Sequence, residues 1–94
     1  MLENILRLSE AMLSAARSED FERLARLESR RGELLTRIPE LGISPLRLVE
    51  ALKRIEALDR AILAILEQER ETAAESLRKL RRARRAITAY GGSE

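Results

Sequence analysis

Cysteine, histidine and tryptophan are absent from this 94-residue chain, and aromatic residues make up only 2% of it. Without cysteine there is neither a disulfide framework nor a thiolate metal site. Without histidine the chain lacks the commonest general base and the commonest metal ligand. β-Branched residues are few and do not alternate with polar ones, so the sequence carries no strand signal. These absences argue against a disulfide-stapled, β-sheet or histidine-dependent protein.

Long apolar runs are also missing. No run approaches the ~20 residues that a membrane-spanning helix needs, and Met1–Asn4 lacks the basic and apolar segments of a signal peptide. We therefore expect a cytoplasmic protein without membrane contact, forming a single domain over 1–94. Glu71 and Glu75 are weak metal-ligand candidates because no second ligand-bearing helix is evident. We expect no cofactor, no metal and no enzymatic activity.

What the chain does contain is typical of helical proteins. Charged residues make up 36% and hydrophobic residues 45%, and the apolar residues recur at helical spacing. The pattern predicts an all-α, antiparallel helical bundle with short helices at about 2–17 and 19–38 and a long helix at about 45–90. Whether two copies pair into a dimer stays open. Gly32 lies inside the second helix, either to permit a close helix approach or as a tolerated exposed glycine.

The junction between the two short helices has two interpretations. Ser18 is a suitable N-cap, and Glu19 and Asp20 would favour the first turn of a new helix. Alternatively, a four-residue stutter in the apolar pattern could be absorbed by one continuous helix over 2–38. We prefer the turn because the capping residues are well placed.

The long helix organises the rest of the chain. Ser44 can cap it, Pro45 suits its first position, and Gly91 follows as a stop. At 1.5 Å per residue it would be roughly 70 Å long, so the short helices can cover only part of it. Within 48–66 the apolar side chains spread over about 200° of the helical wheel, wider than one packing layer needs. This width suggests a second burial surface for a partner, although two flanking helices of the same chain could also cover it.

A dense basic block occupies the last part of the long helix. It could bind nucleic acid or an acidic protein surface. The charges spread around the helix without interleaved aromatic residues, so we favour an acidic protein over nucleic acid. The candidate docking residues of this block are Arg78, Lys79, Arg81, Arg82, Arg84 and Arg85.

Several segments together resemble the FliT family of flagellar export chaperones. They are 8–13 (LSEAML), 18–21 (SEDF) followed by two leucines, the proline-containing loop, and the stretch from 77 to the closing Ala-Tyr-Gly at 89–91. The resemblance covers nearly the whole chain. The family commonly has glycine before the acidic-aromatic pair, where this chain has Glu19. Some members continue into a regulatory helix after Ala-Tyr-Gly; this sequence ends at Glu94, so we do not expect autoinhibition of that kind.

The resemblance implies a non-catalytic chaperone of flagellar type III export. Its client would be the C-terminal helical segment of the filament-cap protein FliD, which it would keep from assembling prematurely. Export-apparatus components and, in some bacteria, the flagellar master regulator would be further partners. The alternative is a homodimeric helical adaptor or a transcription-regulatory protein acting through the basic block at 78–85. From the helical wheel, the candidate client-binding residues are Leu58, Leu63, Ile65, Leu66, Ile87 and Tyr90.

Overall fold

A computed structural model describes residues 1–91 of the chain and shows three α-helices. They are α1 (Leu2–Arg17), α2 (Phe21–Leu35) and α3 (Pro45–Gly91), with a short 3-10 helix at Ile38–Glu40 between α2 and α3. The described residues include no strand, and the predicted all-α class is confirmed. The molecule measures 71 × 20 × 19 Å, so its long dimension is essentially the length of α3.

The chain reverses direction between α1 and α2 through a Schellman motif. The backbone N–H of Glu19 donates to Ala16 O at 3.1 Å, and that of Asp20 donates to Ala15 O at 2.9 Å. These two bonds satisfy carbonyl groups that the end of α1 would otherwise leave free. Glu19 has φ of 59°, a left-handed conformation that glycine adopts without steric cost. Residues 2–38 are therefore two helices, as preferred, and Glu19 occupies a position suited to glycine.

The capping residue of α2 differs from the expected one. Asp20 is the N-cap, and its carboxylate accepts from the backbone N–H of Arg23 at 3.2 Å. Ser18 is instead the C-cap of α1. The expectation that Ser18 starts the second helix was wrong because the turn needs Ser18 and Glu19 to close α1. The second helix consequently begins at Phe21 rather than at residue 19.

The second helix also ends earlier than residue 38. Its C-cap is Thr36, and the chain then forms the 3-10 turn that contains Pro39. Gly42, in the loop before α3, has φ of +60°, a conformation that glycine adopts without steric cost. A Cβ atom built on Gly32 would meet nothing within 4 Å, so Gly32 is not there to admit a neighbouring helix. The predicted cap of α3 is confirmed, because the helix begins at Pro45 and the Ser44 hydroxyl accepts from the backbone N–H of Arg47 at 3.4 Å.

Two apolar clusters hold the three helices together, and α1 packs against both other helices. Because the start of α1 meets the end of α2 and the early part of α3, α2 runs antiparallel to α1 and α3. The first cluster has a buried core made of Leu2, Ile5, Ala51 and Ile55, bordered by Leu6, Leu34, Leu35, Ile38, Ile43 and Leu48. The second has Met12, Ala15, Ala16, Leu24 and Ile62, bordered by Leu13, Leu27, Ile65 and Leu66.

A polar layer separates the two apolar clusters. The guanidinium of Arg31 on α2 donates to the Asp59 carboxylate on α3 at 2.6 Å and to the Ser9 hydroxyl on α1 at 3.1 Å. The Ser9 hydroxyl in turn donates to the Ile5 carbonyl at 2.9 Å. Ser9 is fully buried and the Arg31 side chain is 11% exposed. One arginine thus joins all three helices at a fixed level, which sets their register.

Candidate docking face

The last part of α3 extends beyond the other helices. Near Gln68 and Thr72 the helix passes the turn between α1 and α2, and residues 73–91 lie past it. We call 73–91 the overhang; at 1.5 Å per residue it is about 28 Å long. Every residue over 73–90 is exposed except Glu75, which is half-buried. Most of the stability of a helix in a protein comes from packing of its apolar face, and no other helix of the described chain packs on the overhang, so it is a surface suited to a partner.

An apolar stripe runs along the overhang in phase with the buried face of α3. Leu66, Ala73, Leu80 and Ile87 follow one another at intervals of seven residues, so they share one side of the helix. Leu66 packs against the core of the bundle, whereas Leu80 is 67% and Ile87 70% exposed. The side of α3 that is buried by α1 and α2 therefore continues into solvent without a change of register.

A shallow groove lies along this stripe. It is lined by Leu77, Leu80, Arg81, Ala83, Arg84 and Ile87. The apolar side chains form its floor, and the arginine stems can contribute their methylene groups beside it while their charged heads stay in water. Such a surface can receive the apolar face of an amphipathic helix, whose anchors recur every three or four residues.

The client-binding candidates named from the sequence fall into two groups. Leu58 is buried, and Ile65 and Leu66 are half-buried against the second apolar cluster. These three side chains stabilise the bundle itself. Leu63 is 62% exposed, and Ile87 and Tyr90 are exposed on the overhang. The structure therefore does not bring the six together on one accessible surface, and only the second group could meet a partner without opening the bundle.

Leu63 belongs to a separate exposed patch on the flank of α3. Leu52 is 43% and Val49 48% exposed, and both lie on the same side of the helix as Leu63. Asp59, which pairs with Arg31 of α2, lies between this flank and the core. The wide apolar arc predicted for 48–66 is thus covered in its middle and left exposed along the side nearest α2.

The candidate basic residues all lie on the overhang and are all exposed. Glu75 forms ion pairs with Arg78 at 2.6 Å and with Arg82 at 3.8 Å. Within the described residues, no carboxylate pairs with Lys79, Arg81, Arg84 or Arg85. The block is therefore not uniform, because Arg78 and Arg82 share one carboxylate partner and the other four basic residues have none in the part of the chain that the structure describes.

Two carboxylates meet where α3 leaves the bundle. The negative charge of Glu19, on the turn between α1 and α2, raises the pKa of Glu69 above its ordinary value of 4.5. Partial burial and a hydrogen bond with Glu19 act in the same direction. When both carboxylates are ionised, the contact between them is repulsive.

Sequence reasoning missed two features. Leu77 and Leu80 lie at the centre of the exposed stripe but were not among the candidates; the heptad spacing from Leu66 was the signal that could have identified Leu80. The link from Ser9 through Arg31 to Asp59 was also missed. In the sequence, Ser9 and Asp59 are polar residues within two apolar patterns, and nothing there identifies Arg31 as their common partner.

Among the described residues, no group of acidic side chains is arranged to hold a metal ion. None of their helices combines the length and the apolar character that crossing a bilayer requires.

Comparison with known proteins identifies a family. The family model described as "Flagellar protein FliT" matches residues 1–92. No curated protein matches the chain. No solved structure matches it either.

Proposed function

Because the chain belongs to the FliT family of flagellar proteins, we propose that it is a non-catalytic export chaperone whose client is the C-terminal helical segment of the filament-cap protein FliD. The family implies a flagellar export chaperone role in general, and the choice of client is the proposal. By covering that segment, the chaperone would keep it from assembling before export. Such a role places the protein in the cytoplasm.

The observation that carries this proposal is the uncovered apolar stripe of the overhang. Leu77 is 48% exposed, Leu80 67% and Ile87 70%, and together they continue a face that is buried elsewhere on the same helix. Burying a side chain of this size contributes about 1.5–3 kcal/mol. We propose that the client helix lies along this stripe, with Tyr90 at its far end and the flank around Leu63 as a second point of contact.

The test is a titration in which the full chain is added to a labelled FliD C-terminal segment and binding is measured as the fluorescence anisotropy of the label. The variant Leu80→Ala with Ile87→Ala removes the centre of the stripe, and we expect the affinity to fall by about 10- to 100-fold, at 1.4 kcal/mol for each factor of ten. Leu46→Ala is the matched control. Leu46 is a leucine of the same helix and is 72% exposed, but it lies on the opposite side near Pro45.

Circular dichroism must show that both variants keep their helical content. An unchanged affinity of the double variant would refute the assignment of the stripe. An equal loss in Leu46→Ala would do the same, because binding would then not depend on which side of α3 is altered. Failure of the unmodified chain to bind the segment at all would refute the proposed client.

Export-apparatus components and the flagellar master regulator remain proposed further partners. A homodimer is compatible with the chaperone role, and light scattering that shows only monomer at micromolar concentration would exclude it. Regulation through DNA contact by the basic block predicts an affinity that falls steeply with salt. A gel shift that is absent at low salt would exclude that alternative.

A further inference from the structure

The charges of the overhang are arranged differently on its two sides. Glu75 compensates Arg78 and Arg82, and all three lie on the side of α3 away from the apolar stripe. Arg81 and Arg84 instead line the groove of the stripe, and they have no carboxylate partner among the described residues. Two of the four uncompensated residues, Arg81 and Arg84, therefore lie beside the apolar side chains, where a docked helix would meet them, whereas Arg85 lies on the same side of α3 as Arg78.

The overhang as a whole is strongly basic. Over 73–91 there are six lysine or arginine residues and one glutamate, whereas over 1–72 there are twelve basic and fourteen acidic residues. The net positive charge is thus confined to the part of α3 that lacks an intramolecular partner. Complementary potentials on two surfaces favour association and exclude partners of like charge.

From this arrangement we propose that the overhang docks an acidic amphipathic helix, whose apolar residues cover the stripe and whose Glu or Asp residues pair with Arg81, Arg84 and Lys79. This inference rests on the proposed function, because Ile87 belongs to the face proposed for the client. It goes beyond that function by specifying the charge that the bound segment must carry and the basic residues that pair with that charge.

A second copy of the overhang fits this face poorly. In heptad terms Lys79 and Arg84 flank the apolar stripe at positions g and e, which determine partner choice in paired helices. A parallel pair of overhangs would bring Lys79 of one copy against Arg84 of the other. Like charges at these positions oppose pairing, so the same residues that attract an acidic helix disfavour an identical one.

A nucleic acid also fits less well than an acidic helix. A phosphate backbone would use the basic residues but leave Leu77, Leu80 and Ile87 without an apolar partner. An acidic amphipathic helix satisfies both the charges and the exposed apolar side chains. Non-specific binding of nucleic acid should depend only on the total positive charge of the overhang. Binding of an acidic helix should depend on the basic residues beside the stripe more than on those on the opposite side.

The experiment uses the full chain and two designed helical peptides of about three heptads each. Both peptides present the same leucines, with glutamate flanking them in one and lysine in the other. We expect the glutamate peptide to bind at least about tenfold more tightly than the lysine peptide, and the difference to shrink as salt rises to about 0.5 M. Equal binding of the two peptides would overturn the inference.

Two protein variants with the same net charge locate the effect. Arg81→Gln with Arg84→Gln removes the charges beside the stripe, and Arg78→Gln with Arg82→Gln removes those paired with Glu75. We expect the first variant to weaken binding of the glutamate peptide by about tenfold and the second by less than about threefold. Arg81→Glu with Arg84→Glu should reverse the preference, so that the lysine peptide binds better.

Three other outcomes would overturn the inference. Equal losses in the two glutamine variants would show a general charge effect. Tighter binding of a DNA duplex than of the glutamate peptide, with equal losses in both variants, would identify a nucleic-acid surface. A chain that pairs with itself and excludes the glutamate peptide would show that a second copy covers the stripe.

The titration with the FliD segment separates this inference from the proposed function. If that segment binds and the glutamate peptide shows no preference, the inference fails and the proposed function stands. If the glutamate peptide binds through Arg81 and Arg84 while the segment does not bind, the proposed client is wrong and the inference stands.

Discussion

Replacing Asp59 with leucine should destabilise the bundle more than replacing Arg31, its ion-pair partner, with methionine. The Arg31 side chain is 11% exposed, whereas that of Asp59 is 37% exposed. Asp59→Leu leaves an almost buried guanidinium with only the Ser9 hydroxyl as a partner. Arg31→Met leaves a carboxylate that water still reaches. The energetic cost of each substitution should follow how deeply the remaining charge is buried.

The magnitudes follow from the hydrogen bonds involved. A hydrogen bond to a charged group contributes about 1.5–3 kcal/mol. The cost of Arg31→Met should be the smaller of the two because water still reaches the Asp59 carboxylate that this variant leaves unpaired. We expect Asp59→Leu to cost about 2 kcal/mol and Arg31→Met about 1 kcal/mol. For a domain of this size, 1 kcal/mol shifts Tm by about 4–8 °C. Urea unfolding followed by circular dichroism at several protein concentrations measures both effects.

The double variant, Arg31→Met with Asp59→Leu, tests the reasoning itself. It removes both charges and places apolar side chains between the two apolar clusters, so its stability should lie close to that of the unmodified chain. The two changes should therefore be coupled by at least about 1 kcal/mol. Additive losses, or a greater loss from Arg31→Met than from Asp59→Leu, would refute the idea that one buried arginine joins the helices.

Further predictions concern the core, the helix interior and the turn. Ile5→Ala should cost about 2–5 kcal/mol because Ile5 is fully buried, while Leu80→Ala on the exposed overhang should change stability by less than about 0.5 kcal/mol; chemical denaturation compares them. Gly32→Ala should stabilise the chain by up to about 1 kcal/mol because the space for a Cβ is empty. A lower stability of this variant would show that the Cβ meets a neighbouring group. Glu19→Gly should raise the stability by up to about 1 kcal/mol by removing the left-handed strain at φ of 59°; a lower Tm would contradict this. Glu69→Gln should stabilise the chain at neutral pH. Because the folded chain raises the pKa of Glu69, its stability should fall as the pH rises from 4.5 through the raised value. Thermal melts across that pH range should show this fall in the unmodified chain and not in the variant.

Much of the fold could be predicted because local signals and apolar spacing agreed. Ser44 and Pro45 indicated the start of α3, which the structure has at Pro45. The junction between α1 and α2 was harder because its polar residues can serve either helix end. Ser18 is the C-cap of α1 and Asp20 is the N-cap of α2. These roles depend on the backbone groups that the turn leaves free at the two helix ends, which the sequence alone does not show.

The docking face could be predicted only in part. A helical wheel shows which residues share a side of a helix, and it correctly indicated more apolar surface on α3 than one layer covers. It does not show where the neighbouring helices end. Leu66 and Leu80 share one side of α3, yet Leu66 packs against the core and Leu80 is exposed. The length of α1 and α2 relative to α3 determines which of the two is available to a partner.

Amide hydrogen exchange of the full chain, with and without the FliD C-terminal segment, tests most directly whether the overhang is the docking face. In the free chain we expect amides over 73–91 to exchange much faster than those of the three-helix region, because no other helix covers them. Addition of the segment should slow exchange over 73–91 and leave the buried layers of α1 and α2 unchanged. Binding that protects only α1 and α2, with exchange over 73–91 as fast as in the free chain, would contradict the account.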